Sequence, residues 1–394
     1  MRAHHESFHA TLPRTLYGAE HEEFRIGLRA FLAERVAPRL HDFRRQGHVD
    51  RALWRAMGSA GYLCMTLPRE LGGGSRDFRY NALLREEMAR IGVSGTALGM
   101  GLHSDVVAPF VHRNGNDAQR ERWLPGMCRG EVIGALAMTE PEAGSDVKAI
   151  RTVAERTSGG YRIRGSKIYI TNGWQADLFI VVTKTDPAAG AKGVSLFLLE
   201  GDRPGLRRGS PLRKLSLPAE DACELFFEDV RLPEDNLLGR EGAGFGMLMA
   251  ELPWERLQIA LSAQAAAEAA LEWTLKFVQD RVVFERPLAE YQNTRFKLAE
   301  CATQVQLGRL IVDRCVELAV AGRLDNPAAA MAKLWCTETQ GRVTDECLQL
   351  HGGRGVLWDT PITCAYADAR VQRIYAGTNE IMKEIIARSL LERD

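Results

Sequence analysis

The segment LQIALSAQAAAEAALEWTLKFVQDR, residues 257–281, contains neither glycine nor proline. Alanine and leucine have high helix propensity, and the two residues that most often end helices are absent, so the segment predicts one long helix. A helix that is apolar around much of its circumference needs partner helices to bury its side chains. The segment therefore predicts a helical bundle in the C-terminal part of the chain.

The rest of the chain divides into two regions of different character. Residues 17–133 show helical periodicity. Residues 134–240 contain short alternating or apolar runs, such as YRIRGSKIYIT and VSLFLLE, which are typical of strands, and Asn172-Gly173 predicts a tight turn among them. The order predicts an α+β fold with three domains: an N-terminal helical domain (1–133), a small, mainly antiparallel β-domain (134–240) and a C-terminal helical bundle (241–394).

The charge and the apolar pattern exclude several classes of partner. Lysine plus arginine and aspartate plus glutamate each number 51, and a chain without a basic excess does not favour nucleic acid or an anionic membrane as main partner. No apolar run is long enough for a membrane span, and the N-terminus lacks the apolar segment of a secretory signal. The eight cysteines are scattered without a C-x-x-C pair, which is typical of reduced thiols in a cytoplasmic protein. Only His4, His5 and His9 lie close together, so we expect no metal site.

Three loop-like stretches carry polar groups that can bind a ligand. AMTEPEAGSDV (137–147) exposes the hydroxyls of Thr139 and Ser145 beside backbone N–H groups, which suits a pyrophosphate or a polar ring edge. RIYAGTNEIM (373–382) places Thr378 at the start of the last helix, where the helix dipole favours a phosphate. A solvated turn and simple N-capping are the competing explanations. QLHGGRG (349–355) is equally consistent with a ligand loop and with a helix C-cap.

A fourth stretch, ELPWERLQIA (251–260), places Glu255 just before the alanine-rich helix. Taken alone, this glutamate is best explained as a solvated charge in a first helical turn. In an apolar pocket the same carboxylate would have a raised proton affinity and would suit a general base. The local sequence favours the first explanation and leaves the second open.

Several motifs in one order distinguish the chain more sharply than any one of them. AMTEPEAGSD, KIYITNG, DRVVFERPLAEYQ, QLHGGRG and IYAGTNEI, within an α–β–α chain, resemble the acyl-CoA dehydrogenase family, and most closely its long-chain and isovaleryl branches. The likeness extends from EHEEFR near residue 21 almost to the end. It implies a barrel-like β-domain between an N-terminal helical domain and a C-terminal four-helix bundle.

The resemblance implies an FAD-dependent dehydrogenase that converts a saturated acyl thioester, of medium, long or branched chain, into the trans-2-enoyl thioester. Electrons would pass to an electron-transferring flavoprotein, and the protein would be a cytoplasmic homotetramer or homodimer. The main alternative is a biosynthetic dehydrogenase of acyl chains tethered to a carrier protein. A flavin oxidase or monooxygenase and a DNA-binding relative of the alkylation-response type are further alternatives.

The family's cofactor contacts can be carried over residue by residue. By this resemblance, the isoalloxazine ring would be lined by Leu136, Met138 and Thr139 and covered by Tyr169 and Thr171, while Ser145 would reach the pyrophosphate and the substrate. Thr378 and Glu380 would contact the cofactor at the start of the last helix. A neighbouring subunit would hold the ADP part through Arg281, Phe284, Gln292, Gln349 and Gly353. The chain departs from the family at Glu285, where glycine is usual.

The catalytic base follows from a second departure. Many members have Tyr-Glu-Gly-Thr where this chain has Tyr375-Ala376-Gly377-Thr378, and a methyl group cannot accept a proton. The long-chain and isovaleryl branches instead take the base from a Glu-Arg pair on an earlier helix, which matches Glu255.

The remaining substrate contacts also follow from the resemblance. Ala376 would still offer its backbone N–H to the thioester carbonyl, and the further substrate contacts would be Arg256, Tyr375 and Gly377. The small residues of GTALGMGLHSDVV, beginning at residue 95, would leave room for a long or branched acyl chain. These small residues are Gly95, Ala97, Gly99 and Gly101.

Overall fold

The computed structural model describes residues 12–391, with helices on both sides of a central sheet. The N-terminal helices are α1 Ala19–Arg35, α2 Leu40–Gln46, α3 Arg51–Ser59, α4 Phe78–Arg90, α5 Ser94–Gly101, α6 Ala108–Asn114 and α7 Asp117–Cys128. A π-helical turn, Leu102–Val107, joins α5 to α6. Asp77 and Asn116 accept hydrogen bonds from the first-turn N–H groups of α4 and α7, which explains where these two helices begin.

The central strands form one sheet of eight strands, in the spatial order β6-β7-β3-β2-β4-β5-β8 with β1 beside β4. The strands are β1 Gly134–Ala137, β2 Val153–Thr157, β3 Gly160–Ile170, β4 Leu178–Lys184, β5 Val194–Glu200, β6 Leu206–Arg208, β7 Cys223–Leu232 and β8 Leu237–Leu238. Most neighbours are antiparallel, but β1 and β2 pair with β4 in parallel. The prediction of a mainly antiparallel β-domain is confirmed.

Residues 178–182 of strand β4 are all apolar because both faces of the strand are covered. Ile180 and Val182 pack against the N-terminal helices, whereas Phe179 and Val181 pack in a second core within the β-domain. A strand buried on both faces loses the usual alternation of polar and apolar residues. The first of these cores therefore packs the N-terminal helices against the sheet, and the second fills the β-domain.

The C-terminal helices form the bundle that the long alanine-rich segment predicts. They are α8 Gly244–Asp280, α9 Gln292–Val320, α10 Asn326–His351, α11 Pro361–Gln372 and α12 Asn379–Leu391, and a two-stranded hairpin, β9 Val282–Val283 with β10 Arg286–Pro287, follows α8. Helix α8 packs along α10 and also against α9 and α4. It begins well before the predicted segment and continues through Pro253. The α+β architecture with helical domains on both sides of the β-domain is confirmed.

A buried ionic cluster joins the N-terminal segment to the bundle. Arg309 on α9 is 2% exposed and forms two parallel hydrogen bonds to the Glu268 carboxylate, of 2.6 and 2.7 Å. The same guanidinium donates to Glu86 of α4 at 2.8 Å, and Arg14 donates to Glu86 and to Asp313 at 2.8 and 2.7 Å. Buried charges are tolerated only when they are paired in this way.

Within residues 12–391, no helix is both long and apolar enough to cross a membrane, and no group of three histidine, cysteine or acidic side chains can hold a metal ion. His4, His5 and His9 lie outside the described residues. All eight cysteines are free and buried, as their scattered positions predict.

Candidate active site

Glu255 lies on α8 at a point where this helix is tied to the π-helical turn. The indole N–H of Trp254 and the amide of Gln258 both donate to the carbonyl oxygen of Asp105, at 2.9 and 3.4 Å. The Asp105 carboxylate in turn accepts hydrogen bonds from Asn81 and, at 2.8 Å, from Arg85 of α4. These contacts fix the position of the helical turn that carries Glu255.

The surroundings of Glu255 raise the pKa of its carboxyl above the ordinary value. Burial raises its pKa, and this effect outweighs Arg256, Lys333 and Arg85, whose positive charges act in the opposite direction. Glu251, one turn earlier, raises the pKa further. A carboxylate with raised proton affinity is suited to general-base catalysis near neutral pH. The explanation as a solvated first-turn charge is wrong, because Glu255 lies inside a 37-residue helix and is partly buried.

The turn between α11 and α12 contains Tyr375, which interacts electrostatically with Glu255, and it presents a backbone donor at the next residue. Ala376 has a φ of +52° and Gly377 a φ of +87°, so two successive residues are left-handed. Among the described residues, none accepts a hydrogen bond from the Ala376 N–H. The Tyr375 hydroxyl donates to Gln372 at 2.6 Å, and its pKa is raised, mainly by burial and partly by Glu255. A left-handed alanine is strained, and such strain is common where a backbone group must point at a ligand.

Lys333, one of the groups that act on Glu255, was missed by the sequence analysis. It lies on the same face of α10 as the buried residues Ala329, Ala330 and Cys336. The sequence did contain a signal for this residue, namely a lysine on an apolar helical face. A lysine at such a position needs a partner, because lysine is almost never fully buried without one.

The loop after β1 is held against the end of β3 by a second buried lysine. Lys167 donates to the carbonyl oxygen of Met138 at 2.9 Å and to the Glu140 carboxylate at 2.8 Å. The Ile168 N–H donates to the carbonyl oxygen of Thr139 at 2.9 Å. Burial lowers the pKa of Lys167 to about 8, and Glu140 acts against this decrease. These bonds bring the predicted cofactor residues on the two segments together, namely Leu136, Met138, Thr139, Tyr169 and Thr171.

The same region offers an open surface to a flat ligand. Tyr169 has a φ of +59° and is 65% exposed, beside a register shift between Lys167 and Ile170. Ser145 is exposed on a loop whose turn is closed by two backbone hydrogen bonds between Glu140 and Ala143. An exposed aromatic ring next to free hydroxyl groups suits a heteroaromatic cofactor with polar edges. These residues fit a flavin.

The residues predicted to act from a neighbouring subunit are exposed on each chain. Phe284 is 93% exposed at the tip of the β9–β10 hairpin, and Arg281 precedes the hairpin. Gln292, Gln349 and Gly353 are exposed as well. The hairpin lies near the end of α10, because the ring of Phe277 stacks on His351 with centroids 4.2 Å apart. These side chains are therefore accessible to a second copy.

The structure bears on two of the predicted roles. Arg256 is buried and donates to Asn326 at the start of α10 at 2.8 Å, so it orders this segment; its contact with substrate stays a prediction. The glycines of the stretch that begins at residue 95 leave room for protein atoms: a side-chain carbon at Gly101 would lie 1.9 Å from the Arg85 guanidinium, and one at Gly99 would lie 2.5 Å from Asn172. Neither residue therefore enlarges an acyl pocket.

Thr378 also has a structural role. Its hydroxyl accepts a hydrogen bond from the Ile381 N–H at 3.4 Å, as expected of an N-cap. Glu380 is exposed in the first turn of α12, where backbone N–H groups and Thr378 lower its pKa. The structure therefore supports the N-capping explanation for Thr378.

The fold combines a helical bundle that carries a partly buried acid, Glu255, with a β-domain that presents an exposed aromatic ring, Tyr169. Comparison with known proteins assigns this arrangement to a family. The N-terminal, middle and C-terminal domains of acyl-CoA dehydrogenase match residues 18–131, 135–230 and 242–391. The chain thus belongs to the acyl-CoA dehydrogenase family and is an FAD-dependent oxidoreductase.

The relatives include both branches that the motifs indicate. Long-chain specific acyl-CoA dehydrogenase of Mus musculus is 45% identical over 96% of this chain and 88% of its own length. Isovaleryl-CoA dehydrogenase of Oryza sativa is 35% identical over 96% of this chain and 93% of its own.

Solved structures show the same relationship. An acyl-CoA dehydrogenase from Geobacillus kaustophilus is 43% identical and superposes with a TM-score of 0.93, covering 95% of this chain and 99% of its own. A glutaryl-CoA dehydrogenase from Mycobacterium smegmatis, solved with FADH2, is 27% identical with a TM-score of 0.91 over 98% of this chain and 97% of its own.

Proposed function

We propose that the chain dehydrogenates acyl-CoA thioesters between Cα and Cβ with Glu255 as the base. The proposal rests on two features taken together. Glu255 is partly buried and its carboxyl has a raised pKa, and position 376 holds an alanine, whose side chain cannot accept a proton. The names of the relatives reported above give CoA thioesters as their substrates, which favours a CoA thioester over the carrier-protein alternative.

The chain's own residues account for the proton abstraction. The α-proton of a thioester becomes acidic enough to remove only when negative charge on the carbonyl oxygen is stabilised. The Ala376 N–H, which has no acceptor within residues 12–391, donates a hydrogen bond to this oxygen, and the Glu255 carboxylate takes the α-proton. When bound, FAD supplies the acceptor for the β-hydride. The surface near Thr139 and Tyr169 holds the flavin ring, and Ser145 reaches its phosphates.

Anaerobic addition of acyl-CoA to the FAD-loaded protein tests the proposal. Bleaching of the flavin absorbance is expected with the wild type, and Glu255→Gln should bind FAD normally but fail to bleach. Glu272→Gln is the matched control, because Glu272 is a partly buried acid on the same helix, 3.6 Å from Arg90. Full turnover by Glu255→Gln would place the base elsewhere.

The substrate class and the assembly follow from the same branch. We infer a long or branched acyl chain, electron transfer to an electron-transferring flavoprotein, and an oligomer, either a tetramer or a dimer, in which a second copy supplies the hairpin residues. The proposal also keeps the domain boundaries at 133/134 and 240/241. It keeps a cytoplasmic location as well. A panel of acyl-CoA thioesters with one carrier-bound substrate tests the chain length, and exclusive turnover of C4 substrates would refute the assignment.

A further inference from the structure

Lys333 is a fully buried lysine whose charge the mechanism above does not use. The exposed fraction of Lys333 is 0%, whereas lysine is usually found at the protein surface. Enclosing an ammonium group is costly unless its hydrogen atoms are bonded and its charge is balanced. The contacts of Lys333 therefore indicate what the lysine does.

The ammonium group of Lys333 joins the two ends of the turn that carries Ala376. It donates to the carbonyl oxygen of Gln372, the last residue of α11, at 3.1 Å and to that of Gly377, just before α12, at 2.9 Å. The left-handed Ala376 lies between these two anchors. The lysine therefore fixes the direction in which the Ala376 N–H points.

The same ammonium group contributes to the electrostatic surroundings of Glu255. The groups that act on the Glu255 carboxyl are Arg256 and Glu251 from its own helix, Lys333 from α10 and Arg85 from α4. Glu255 in turn raises the pKa of Tyr375 in the turn. Burial and Arg256 lower the pKa of Lys333 to about 8, and Glu255, Glu380 and Glu338 act against this decrease. Lys333 is thus the member of this set that also contacts the turn through two hydrogen bonds.

We propose that Lys333 is a positioning residue for proton abstraction, which holds the Ala376 N–H toward the thioester carbonyl and places positive charge beside Glu255. The inference rests on the proposed function, in which Glu255 is the base. Removal of the lysine's charge should increase the proton affinity of Glu255. Because the base must be ionised to act, the acid limb of the activity profile should then move to higher pH.

The test uses the FAD-loaded protein and an acyl-CoA in which sulfur replaces Cβ. This compound has no β-hydride to lose, so exchange of its α-protons in D₂O, followed by mass spectrometry, measures proton abstraction alone. For Lys333→Met we expect an exchange rate at least roughly tenfold lower, an acid limb displaced upward by about half a pH unit or more, and nearly unchanged thioester affinity. Lys192→Met, which changes an exposed lysine of the β-domain, should behave as the wild type.

A second variant covers the case in which Lys333→Met does not fold. Lys333→Gln retains a donor for the two carbonyls but carries no charge, so it should recover part of the rate and still show the displaced acid limb. Wild-type rates and an unmoved profile in a folded variant would overturn the role of Lys333.

Glu255→Gln in the same assay separates the two proposals. If it still exchanges α-protons, the base assignment fails. If it does not, while Lys333→Met exchanges as the wild type does, only the inference about Lys333 fails.

Discussion

Replacement of Arg309 by methionine should destabilise the protein strongly, because it leaves the Glu268 carboxylate without its main partner. Glu268 is fully buried and would keep only the Gln264 amide at 3.0 Å and Arg90 at 3.6 Å. Removal of one member of a buried ion pair typically costs about 3–5 kcal/mol. Glu86 is affected less, since Arg14 continues to bind it.

The pKa of Glu268 gives a second value for the free energy by which the pairing of its carboxylate stabilises the fold. Burial opposes ionisation of this carboxyl, but the charge and hydrogen bonds of Arg309, together with the charges of Arg90 and Arg14, outweigh burial and lower the pKa from 4.5 to about 2. The difference corresponds to about 3 kcal/mol of folding free energy near neutral pH. A lowered folded-state pKa stabilises the protein above pH 4.5, and this contribution is lost as the pH falls toward 2.

In Arg309→Met, ionised Glu268 destabilises the folded protein near neutral pH instead of stabilising it, because a buried carboxyl that has lost its main partner has a raised pKa. The free-energy difference between wild type and variant should therefore be largest at pH 7 and narrow as the pH falls to about 4.5. Urea unfolding at fixed protein concentration, followed by tryptophan fluorescence, measures it. The double variant Arg309→Met/Glu268→Gln carries no orphaned charge and should recover at least half of the loss. A double variant as unstable as the single one, or a difference independent of pH, would refute this explanation.

Three further predictions concern the cofactor and the base. Glu285→Gly should stabilise the protein, by up to about 1 kcal/mol, because Glu285 has a φ of +68° in the two-residue turn of the hairpin. It should also slow FAD release on dilution, because it removes a negative charge next to Phe284, which is predicted to hold the ADP part of FAD; unchanged flavin retention would contradict this placement. Lys167→Met should weaken FAD binding at least roughly tenfold by fluorescence titration, because the loop beside β3 loses its anchor. In a Glu255→Gln background, Ala376→Glu should restore part of the bleaching by acyl-CoA, and no recovery at any pH would mean that position 376 does not face the substrate.

The long-range order of the fold could be predicted because it depends on patterns that a single chain displays. The uninterrupted alanine-rich segment predicted α8, and the short apolar run VSLFLLE predicted β5. Asn172 was correctly expected in a turn, and its φ is +63°. Its side chain, however, donates to the carbonyl oxygens of Gly99 and Gly134. This contact between distant segments has no local signature.

The site was only partly predictable for the same reason. The motifs predicted which residues face the cofactor and which one is the base, since these residues carry the chemistry. Lys333 and Lys167 act through backbone carbonyls, and a hydrogen bond to a carbonyl places no demand on the identity of the accepting residue. The partners of such lysines therefore leave no trace in the sequence, and the buried position of Arg256 was equally hidden.

The close approach of Gly101 to Arg85 restricts how this protein can change its substrate range. Any side chain at position 101 would displace the guanidinium that holds Asp105 and Gln258, and with them the segment that carries Glu255. A mutation there would disturb catalysis before it altered the fit of an acyl tail. Directed evolution toward new tails should consequently accept changes at this glycine only when Arg85 is replaced in the same step.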